Sequence, residues 1–209
     1  MVVRVVTDST CDLDPEFAVE RGIIIVPCSV HFGSEPYRDR LDITPMQFFQ
    51  RLREAEELPR TSQPSVGAFL TVYQELTAGE DDVVSIHISE KMSGTFSSAT
   101  RAKALLSLHD RVQVVDSRFN SVALALIVLA AAEKAQTGAA LESVVQHVRD
   151  VISRTHLLAT ADTLEYAARG GRIGKAQAFL GNLLQVKPIV QIKDGELHPI
   201  ERVRTRARA

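Results

Sequence analysis

Short β-branched apolar runs alternate along the chain with segments of helical period, and this rhythm constrains the fold more than any other feature. The runs at residues 2–6, 23–26, 83–88 and 112–115 are each four to six residues long. Nearly continuous apolar strands separated by helices are typical of a parallel sheet that helices cover on both faces. The first part of the chain is therefore predicted to be an α/β domain.

Helix signals occupy the segments between these runs. Asp14 is a good N-cap and is followed by a proline at the first helical position. A second helix beginning at Pro45 would place Phe48, Phe49 and Leu52 on one face. The clearest apolar stripe has spacings of three and four and consists of Leu141, Val144, Val145, Val148, Val151 and Ile152.

The pattern changes near Thr155, where signals for antiparallel strands replace the alternation. Two strand-like runs, at residues 187–192 and 196–203, flank Asp194 and Gly195. An Asp-Gly pair in that position strongly favours a hairpin with a two-residue turn. Two further helices are predicted before this hairpin, near residues 164–169 and 176–184.

We therefore expect an N-terminal α/β domain with a parallel sheet at residues 1–154, followed by a second α+β domain with antiparallel strands at residues 155–209. The second part holds only 55 residues, which is few for an independent hydrophobic core. The second domain is accordingly expected to be incomplete at its C-terminal end.

Composition and charge exclude several classes of protein. The formal net charge is −2 and hydrophobic residues make up 45% of the chain, so neither a disordered chain nor a general nucleic-acid binder is expected. The longest apolar run, residues 122–132, is shorter than the roughly 20 residues of a membrane-spanning helix. Cys11 and Cys28 have no metal-ligand or disulfide-framework spacing. A cytoplasmic protein without metal or cofactor is expected, with at most transient membrane contact.

Four hydroxyl-rich loops are the first candidates for a binding site. Ligands of open α/β sheets bind at the carboxyl ends of the strands, and hydroxyls combined with helix N-terminal amides suit a carboxylate or phosphate. The same residue types also cap helices, and the sequence leaves both interpretations open. Three of the loops follow predicted parallel strands and one stands at a predicted helix entrance; they are residues 8–10, 89–95, 116–117 and 61–65.

Ser93, which is followed by Gly94 and Thr95, is also a candidate nucleophile for a hydrolase or acyl transferase. Such chemistry needs a base within hydrogen-bond reach and a third group that orients the base. None of the six histidines is an obvious base; His87 falls inside a predicted strand, where a structural role is expected. The motifs of nucleotide-binding loops, serine-hydrolase elbows and zinc proteases are absent. The sequence therefore favours a binding protein over an autonomous enzyme.

Arginines in two segments are candidate anion contacts. Arg172 follows a Gly-Gly turn, and Arg202 and Arg204 begin an alternating run that ends at Arg208. Arginine makes forked hydrogen bonds to carboxylate and phosphate groups. A solvated arginine at a turn, or at the start of an exposed helix, fits the same pattern, so both interpretations stay open.

Six motifs, in the same order along the chain, resemble those of the DegV family. Together they are far more specific than any one of them, and they extend through essentially all 209 residues. The motifs are Thr7-Asp8-Ser9-Thr10-Cys11-Asp12-Leu13, Thr61-Ser62-Gln63-Pro64-Ser65, Ile88-Ser89 leading to Ser93-Gly94-Thr95, Val115-Asp116-Ser117, Leu164-Glu165-Tyr166 with Gly170-Gly171-Arg172-Ile173, and Lys187-Pro188-Ile189.

This resemblance implies a two-domain protein that holds a long-chain fatty acid in an apolar tunnel between its domains. In bacterial members it implies the fatty-acid-binding subunit of fatty acid kinase: a separate ATP-dependent kinase phosphorylates the presented carboxylate to an acyl phosphate for phospholipid metabolism. By the same resemblance, Thr61 and Ser93 bind the carboxylate, and Ser62, Gly94 and Thr95 shape the site.

The resemblance also implies that Arg172, and less directly Arg202 or Arg204, face the kinase or the new phosphate. Members of the family usually continue beyond the arginine run and carry a histidine near the carboxylate, in a His-x-Gly-Pro-Gly stretch. No such stretch occurs in this sequence. A truncated interaction module that binds no fatty acid is therefore the alternative to a fatty-acid carrier.

Overall fold

The structure is a computed structural model that describes residues 2–179 and 187–209. The strands in these residues are β1 (Val3–Asp8), β2 (Ile23–Val26), β3 (Ser29–Phe32), β4 (Glu35–Arg38), β5 (Arg60–Ser62), β6 (Asp82–His87), β7 (Val112–Asp116), β8 (Leu157–Thr160), β9 (Lys187–Lys193) and β10 (Glu196–Val203). The α-helices are α1 (Pro15–Glu20), α2 (Pro45–Glu54), α3 (Val66–Ala78), α4 (Thr95–Ala104), α5 (Ser121–Gln136), α6 (Leu141–Arg154) and α7 (Glu165–Arg169).

Four strands form a parallel sheet in the order β2-β1-β6-β7. Strand β1 pairs with β2 on one side, where Val5 lies opposite Ile23, and with β6 on the other, where Val3 lies opposite Asp82. Each parallel connection needs a crossover, and helices α1, α3 and α4 lie in the three crossovers of this sheet. The predicted parallel sheet is confirmed.

Helices cover both faces of this sheet, as the alternation predicts. Helices α1, α5 and α6 contribute to one hydrophobic core, and α3 and α4 contribute to the other. The neighbouring side chains Val5 and Val6 enter different cores, because successive side chains of a strand point to opposite faces. The predicted stripe on α6 is buried at Leu141, Val144, Val145 and Val148.

A second sheet, which the sequence analysis does not predict, is antiparallel and has the order β4-β3-β5. Thr61 and Ser62, expected at a helix entrance, instead lie in β5, where Thr61 is opposite Val30. Of this hydroxyl cluster Ser65 alone caps α3, its Oγ accepting a hydrogen bond from the Ala68 amide at 3.1 Å. The strands are three or four residues long, so they carry no clear period-two pattern.

Helix α2 begins as predicted, but it lies at the periphery. Thr44 and Gln47 form a complete capping box at its start. No residue of α2 is buried, and Phe49 is 57% exposed. Phe48 packs its ring 5.8 Å from that of Phe32, so this helix covers the small antiparallel sheet rather than either core.

The third sheet is antiparallel, with the order β10-β9-β8. Its hairpin turn has positive φ at both Asp194 (51°) and Gly195 (80°), the backbone that an Asp-Gly turn favours; the predicted hairpin is confirmed. The helix predicted at residues 176–184 is replaced by a 3₁₀ helix over Gly174–Phe179, and its remaining residues lie outside the described ones.

The third sheet packs against the first part of the chain. Ile192 of β9 belongs to the core beneath α5 and α6, and Leu197 of β10 packs against the same core. The predicted boundary between residues 154 and 155 therefore lies between the parallel sheet and the third sheet, which contact each other through this core. That this boundary divides two domains stays a prediction. Among the described helices, none has the length and apolar character needed to cross a membrane.

Candidate functional site

A cavity of about 460 Å³ lies where the three sheets approach one another. Its size falls within the usual range for small-molecule sites, roughly 300–1,000 Å³. We call it the central cavity. Its polar lining consists of Thr10, Asp39, Thr61, Ser62, Gln63, Ser93, Asn120 and Arg172. Its apolar lining, with one thiol, consists of Cys28, Val30, Phe48, Ile88, Met92, Ala167 and Leu197.

The central cavity brings together residues that are far apart in the sequence. Thr61 and Ser62 come from β5, Ser93 comes from the loop after β6, and Leu197 comes from β10. Loops at the carboxyl end of a parallel sheet are the usual place for a ligand. Three of the five residues expected to bind or shape a carboxylate site therefore line one cavity.

Gly94 and Thr95 lie beside the cavity and fix Ser93. The Ser93 and Thr95 hydroxyl oxygens are 2.8 Å apart, and the Thr95 amide donates to Ser93 Oγ at 3.3 Å. A Cβ added to Gly94 would lie only 2.8 Å from Nε2 of Gln63. Glycine at this position thus lets the segment after β5 approach the Ser93 loop closely.

Ser93 lacks the surroundings of a catalytic nucleophile. Its side-chain partner is Thr95, and no histidine in residues 2–179 or 187–209 hydrogen-bonds to it: His31 pairs with Ser62 at 3.0 Å and His87 with Asp8 and Ser85. A serine nucleophile needs a base within hydrogen-bond reach. The described geometry does not supply that base.

Asp8 anchors two of the loops that border the cavity. One carboxylate oxygen accepts hydrogen bonds from the amide and hydroxyl of Thr10. The other accepts from the Ile88 amide at 3.1 Å and lies 2.9 Å from Nδ1 of His87. Burial raises the pKa of this carboxyl, but its bonds to His87, Thr10 and Ile88, with the charge of His87, outweigh burial and lower the pKa below its ordinary value.

The network continues inward from His87. Its Nε2 lies 2.7 Å from Ser85 Oγ, which also accepts a hydrogen bond from the Tyr73 hydroxyl at 2.7 Å. Asp8, His87 and Ser85 resemble a serine-hydrolase triad in composition, yet all three are fully buried. No substrate reaches a serine in that position, so the network is structural, as the position of His87 in a strand predicts.

The three arginines named from the sequence occupy different places. Arg172 lines the central cavity and donates from Nε to the Met92 carbonyl at 3.0 Å. Arg202 stacks its guanidinium over the Phe179 ring at 4.5 Å and donates to the Ala178 carbonyl. Arg204 is exposed. Arg202 and Arg204 are not among the lining residues of the cavity.

The structure adds lining residues that the sequence analysis does not assign. Thr10 belongs to a hydroxyl-rich loop already singled out, but Cys28, Asp39 and Asn120 carry no signal of a site. Burial raises the pKa of the Cys28 thiol to about 12 and also raises the pKa of Asp39. Cys28 is therefore a neutral wall residue rather than a reactive thiolate.

A family model and a protein of known sequence are similar to this chain. A family model described as an uncharacterised protein of the DegV family matches residues 2–209. A DegV domain-containing protein of Halalkalibacterium halodurans is 38% identical over 210 residues, covering 99% of this chain and 73% of that protein.

Two solved structures share the fold along nearly the whole chain. The first is a DegV family protein from Thermus thermophilus described for its fatty acid binding; its TM-score is 0.91 at 40% identity, and the match covers 100% of this chain and 74% of that one. The second is a stearic-acid-binding protein from Eubacterium ventriosum, with a TM-score of 0.89 at 32% identity, covering 99% of this chain and 72% of that one.

Proposed function

The chain belongs to the DegV family, and from that premise we propose that it binds a long-chain fatty acid in the central cavity. The solved relatives from Thermus thermophilus and Eubacterium ventriosum are described as fatty-acid-binding. The observation that carries the proposal is the lining of the cavity, which combines several hydroxyls with seven apolar or thiol side chains. A fatty acid has the same two parts, a small polar head and a long hydrocarbon tail.

The carboxylate is proposed to lie at Thr61 and Ser93, with Ser62, Gly94 and Thr95 shaping the site. Hydroxyl donors can bond a carboxylate without bringing a second buried charge, and a buried carboxylate that is fully hydrogen-bonded avoids most of its desolvation cost. Thr95 supports this role, because its bond to Ser93 holds the Ser93 hydroxyl in place.

The acyl tail is proposed to lie along Val30, Phe48, Ile88, Met92 and Leu197. Each methylene removed from water contributes about 0.8 kcal/mol, so the tail supplies most of the affinity and the hydroxyls supply its orientation. Phe48 belongs to the exposed helix α2 and is half-buried. The acyl tail would cover part of the surface of this side chain that is still exposed.

The bound acid is proposed to be a substrate for a separate ATP-dependent kinase, which converts the carboxylate to an acyl phosphate for phospholipid metabolism in the cytoplasm. The absence of a nucleotide-binding motif in the sequence is consistent with a partner that brings ATP. Arg172 lies at the cavity, where it could meet the new phosphate, and Arg202 and Arg204 are proposed to face the kinase.

The proposal is tested first by extracting lipid from the purified full chain and identifying it by mass spectrometry; a long-chain fatty acid is expected. After delipidation, Thr61→Val and Ser93→Ala should each weaken palmitate binding about tenfold, the loss expected for a hydrogen bond to a charged group. Binding is measured by equilibrium dialysis with radiolabelled palmitate.

Thr71→Val is the matched control for Thr61→Val. Thr71 is an exposed helical hydroxyl that donates only to the Gly67 carbonyl, so its loss should leave palmitate binding unchanged. A wild-type chain that yields no extracted acid and binds neither palmitate nor oleate would contradict the proposed function and favour a non-binding interaction module.

A further inference from the structure

Ser89 is fully buried between three segments of the chain. It opens the loop that carries Ser93, it touches the segment after β7, and it meets the turn of the β9–β10 hairpin. The contacts of this one residue connect the third sheet to the hydroxyl that the proposed carboxylate site uses.

Every hydrogen-bonding group of Ser89 is occupied. Its amide donates to the Phe119 carbonyl at 2.9 Å, and its carbonyl accepts from the amides of Met92 at 2.9 Å and Ser93 at 3.1 Å. Its hydroxyl donates to the Gly195 carbonyl at 2.7 Å and accepts from the Lys91 amide at 3.3 Å. A residue held from all sides transmits a displacement of any neighbour to the others.

Glycine is the only residue type that fits at position 195 without displacing Ser89. Its φ of 80° lies in the left-handed region, and a Cβ added there would stand 2.5 Å from the Ser89 hydroxyl oxygen. A side chain at position 195 would have to push Ser89, or the whole turn, out of place. Two further contacts hold the same loop: Arg172 donates to the Met92 carbonyl at 3.0 Å, and Lys91 lies 3.8 Å from the Glu196 carboxylate.

We propose that Ser89 is a positioning residue for the carboxylate site, and that the Asp194–Gly195 turn holds it in position. The third sheet then does more than line the central cavity, because through Ser89 it fixes the backbone from which the Ser93 hydroxyl reaches the ligand. This inference rests on the proposed function, since it assigns Ser89 an effect on the carboxylate end of a bound fatty acid.

The first arm of the test compares two glycines of similar backbone. Gly195→Ala strains the backbone and displaces Ser89. Gly138→Ala introduces the same strain, at a φ of 75°, but its Cβ would have no neighbour within 4 Å, and the residue lies outside the cavity lining. In delipidated full chain, Gly195→Ala should weaken palmitate binding about fivefold or more, and Gly138→Ala should leave it unchanged. Equal affinities for wild type and Gly195→Ala would overturn the inference.

The second arm removes the contact without backbone strain and remains informative where Gly195→Ala does not fold. Ser89→Ala should weaken palmitate binding about fivefold, yet leave the affinity for methyl palmitate, which lacks the carboxylate, within about twofold. Equal losses for the acid and the ester would overturn the inference, because they would show a general effect on the cavity.

The third arm is a double-mutant cycle. If Ser89 acts through Ser93, Ser89→Ala adds no further loss of palmitate affinity in a Ser93→Ala background. Fully additive losses would overturn the inference and leave the proposed function intact. Failure of wild-type chain to bind any fatty acid would instead remove the proposed function and this inference together.

Discussion

The two walls of the central cavity are built in different ways. The wall that carries Ser93, residues 88–95, follows a strand whose side chains are buried from Val83 to His87; we call it the core wall. The other wall carries Thr61 and consists of residues 27–62; we call it the outer wall. Of these residues, all of which the structure describes, only three have buried side chains, namely Cys28, Val30 and Ile43. One wall is part of the stable core, and the other is attached to it.

This difference separates stability from binding. Substitutions behind the core wall should change the free energy of unfolding and ligand affinity together. Substitutions in the outer wall should change affinity or local mobility with little effect on global unfolding. The four predictions below test that separation, beginning with the largest effect.

A pair of phenylalanines provides the sharpest contrast. Phe69 is fully buried behind the core wall, with its ring 4.9 Å from that of His87, whereas Phe49 of the outer wall is 57% exposed. Phe69→Ala should lower the free energy of unfolding by about 3–5 kcal/mol. Phe49→Ala should change it by less than about 0.5 kcal/mol. Urea denaturation measures both, and similar losses would refute the distinction between the walls.

Asp8→Asn is expected to cost less, about 1.5–3 kcal/mol. Each oxygen of the Asp8 carboxylate accepts a hydrogen bond from a backbone amide, of Thr10 or of Ile88. The single oxygen of asparagine can serve only one of them, so the NH₂ group must face the other amide.

The same substitution has a pH signature. Because the pKa of Asp8 is lowered in the folded chain, its contribution to stability is fully present above the ordinary pKa of about 3.9 and is lost as the pH falls below it. The free energy of unfolding should therefore decline less steeply below about pH 4 in Asp8→Asn than in wild type. Parallel pH profiles would show that Asp8 does not contribute in this way.

Thr44→Ala should have the smallest effect, confined to the outer wall. It removes the capping box of α2, worth about 1 kcal/mol, from a helix that has no buried residue. Amide hydrogen exchange should become about fivefold faster in α2 and stay unchanged in α5, eight of whose side chains are buried. Faster exchange throughout the chain would mean that α2 unfolds together with the core.

The parts of the fold predicted from sequence are those with a local signal. The Asp14 cap of α1, the stripe on α6 and the Asp194–Gly195 turn each depend on residues within a few positions of one another. The small sheet of β3, β4 and β5 has no comparable signal, because strands of three or four residues leave too little periodicity. Thr61 therefore lies on a strand rather than at the expected helix entrance; it lines the central cavity, and its contact with a carboxylate stays a prediction.

The contacts that organise the site join residues far apart in the sequence. Asp8 and His87 are 79 positions apart, and Ser89 and Gly195 are 106 apart. No pattern within either segment reveals its partner, so the sequence predicts only a general structural role for His87 and, for Ser89, only a place in a candidate binding loop. The family resemblance supplied the proposed ligand residues; the hydrogen bonds that hold them required the structure.

The place of β1 in the parallel sheet has a consequence for synthesis of the chain. This strand is made before β2 and β6, yet it lies between them, and Val3 pairs with Asp82. At about 5–20 residues per second, the ribosome adds β6 roughly 4–15 seconds after β1. During that interval β1 has only β2 as a strand partner, and its valines lack the contacts from β6. We expect this nascent segment to be a target for chaperones that bind extended apolar chains.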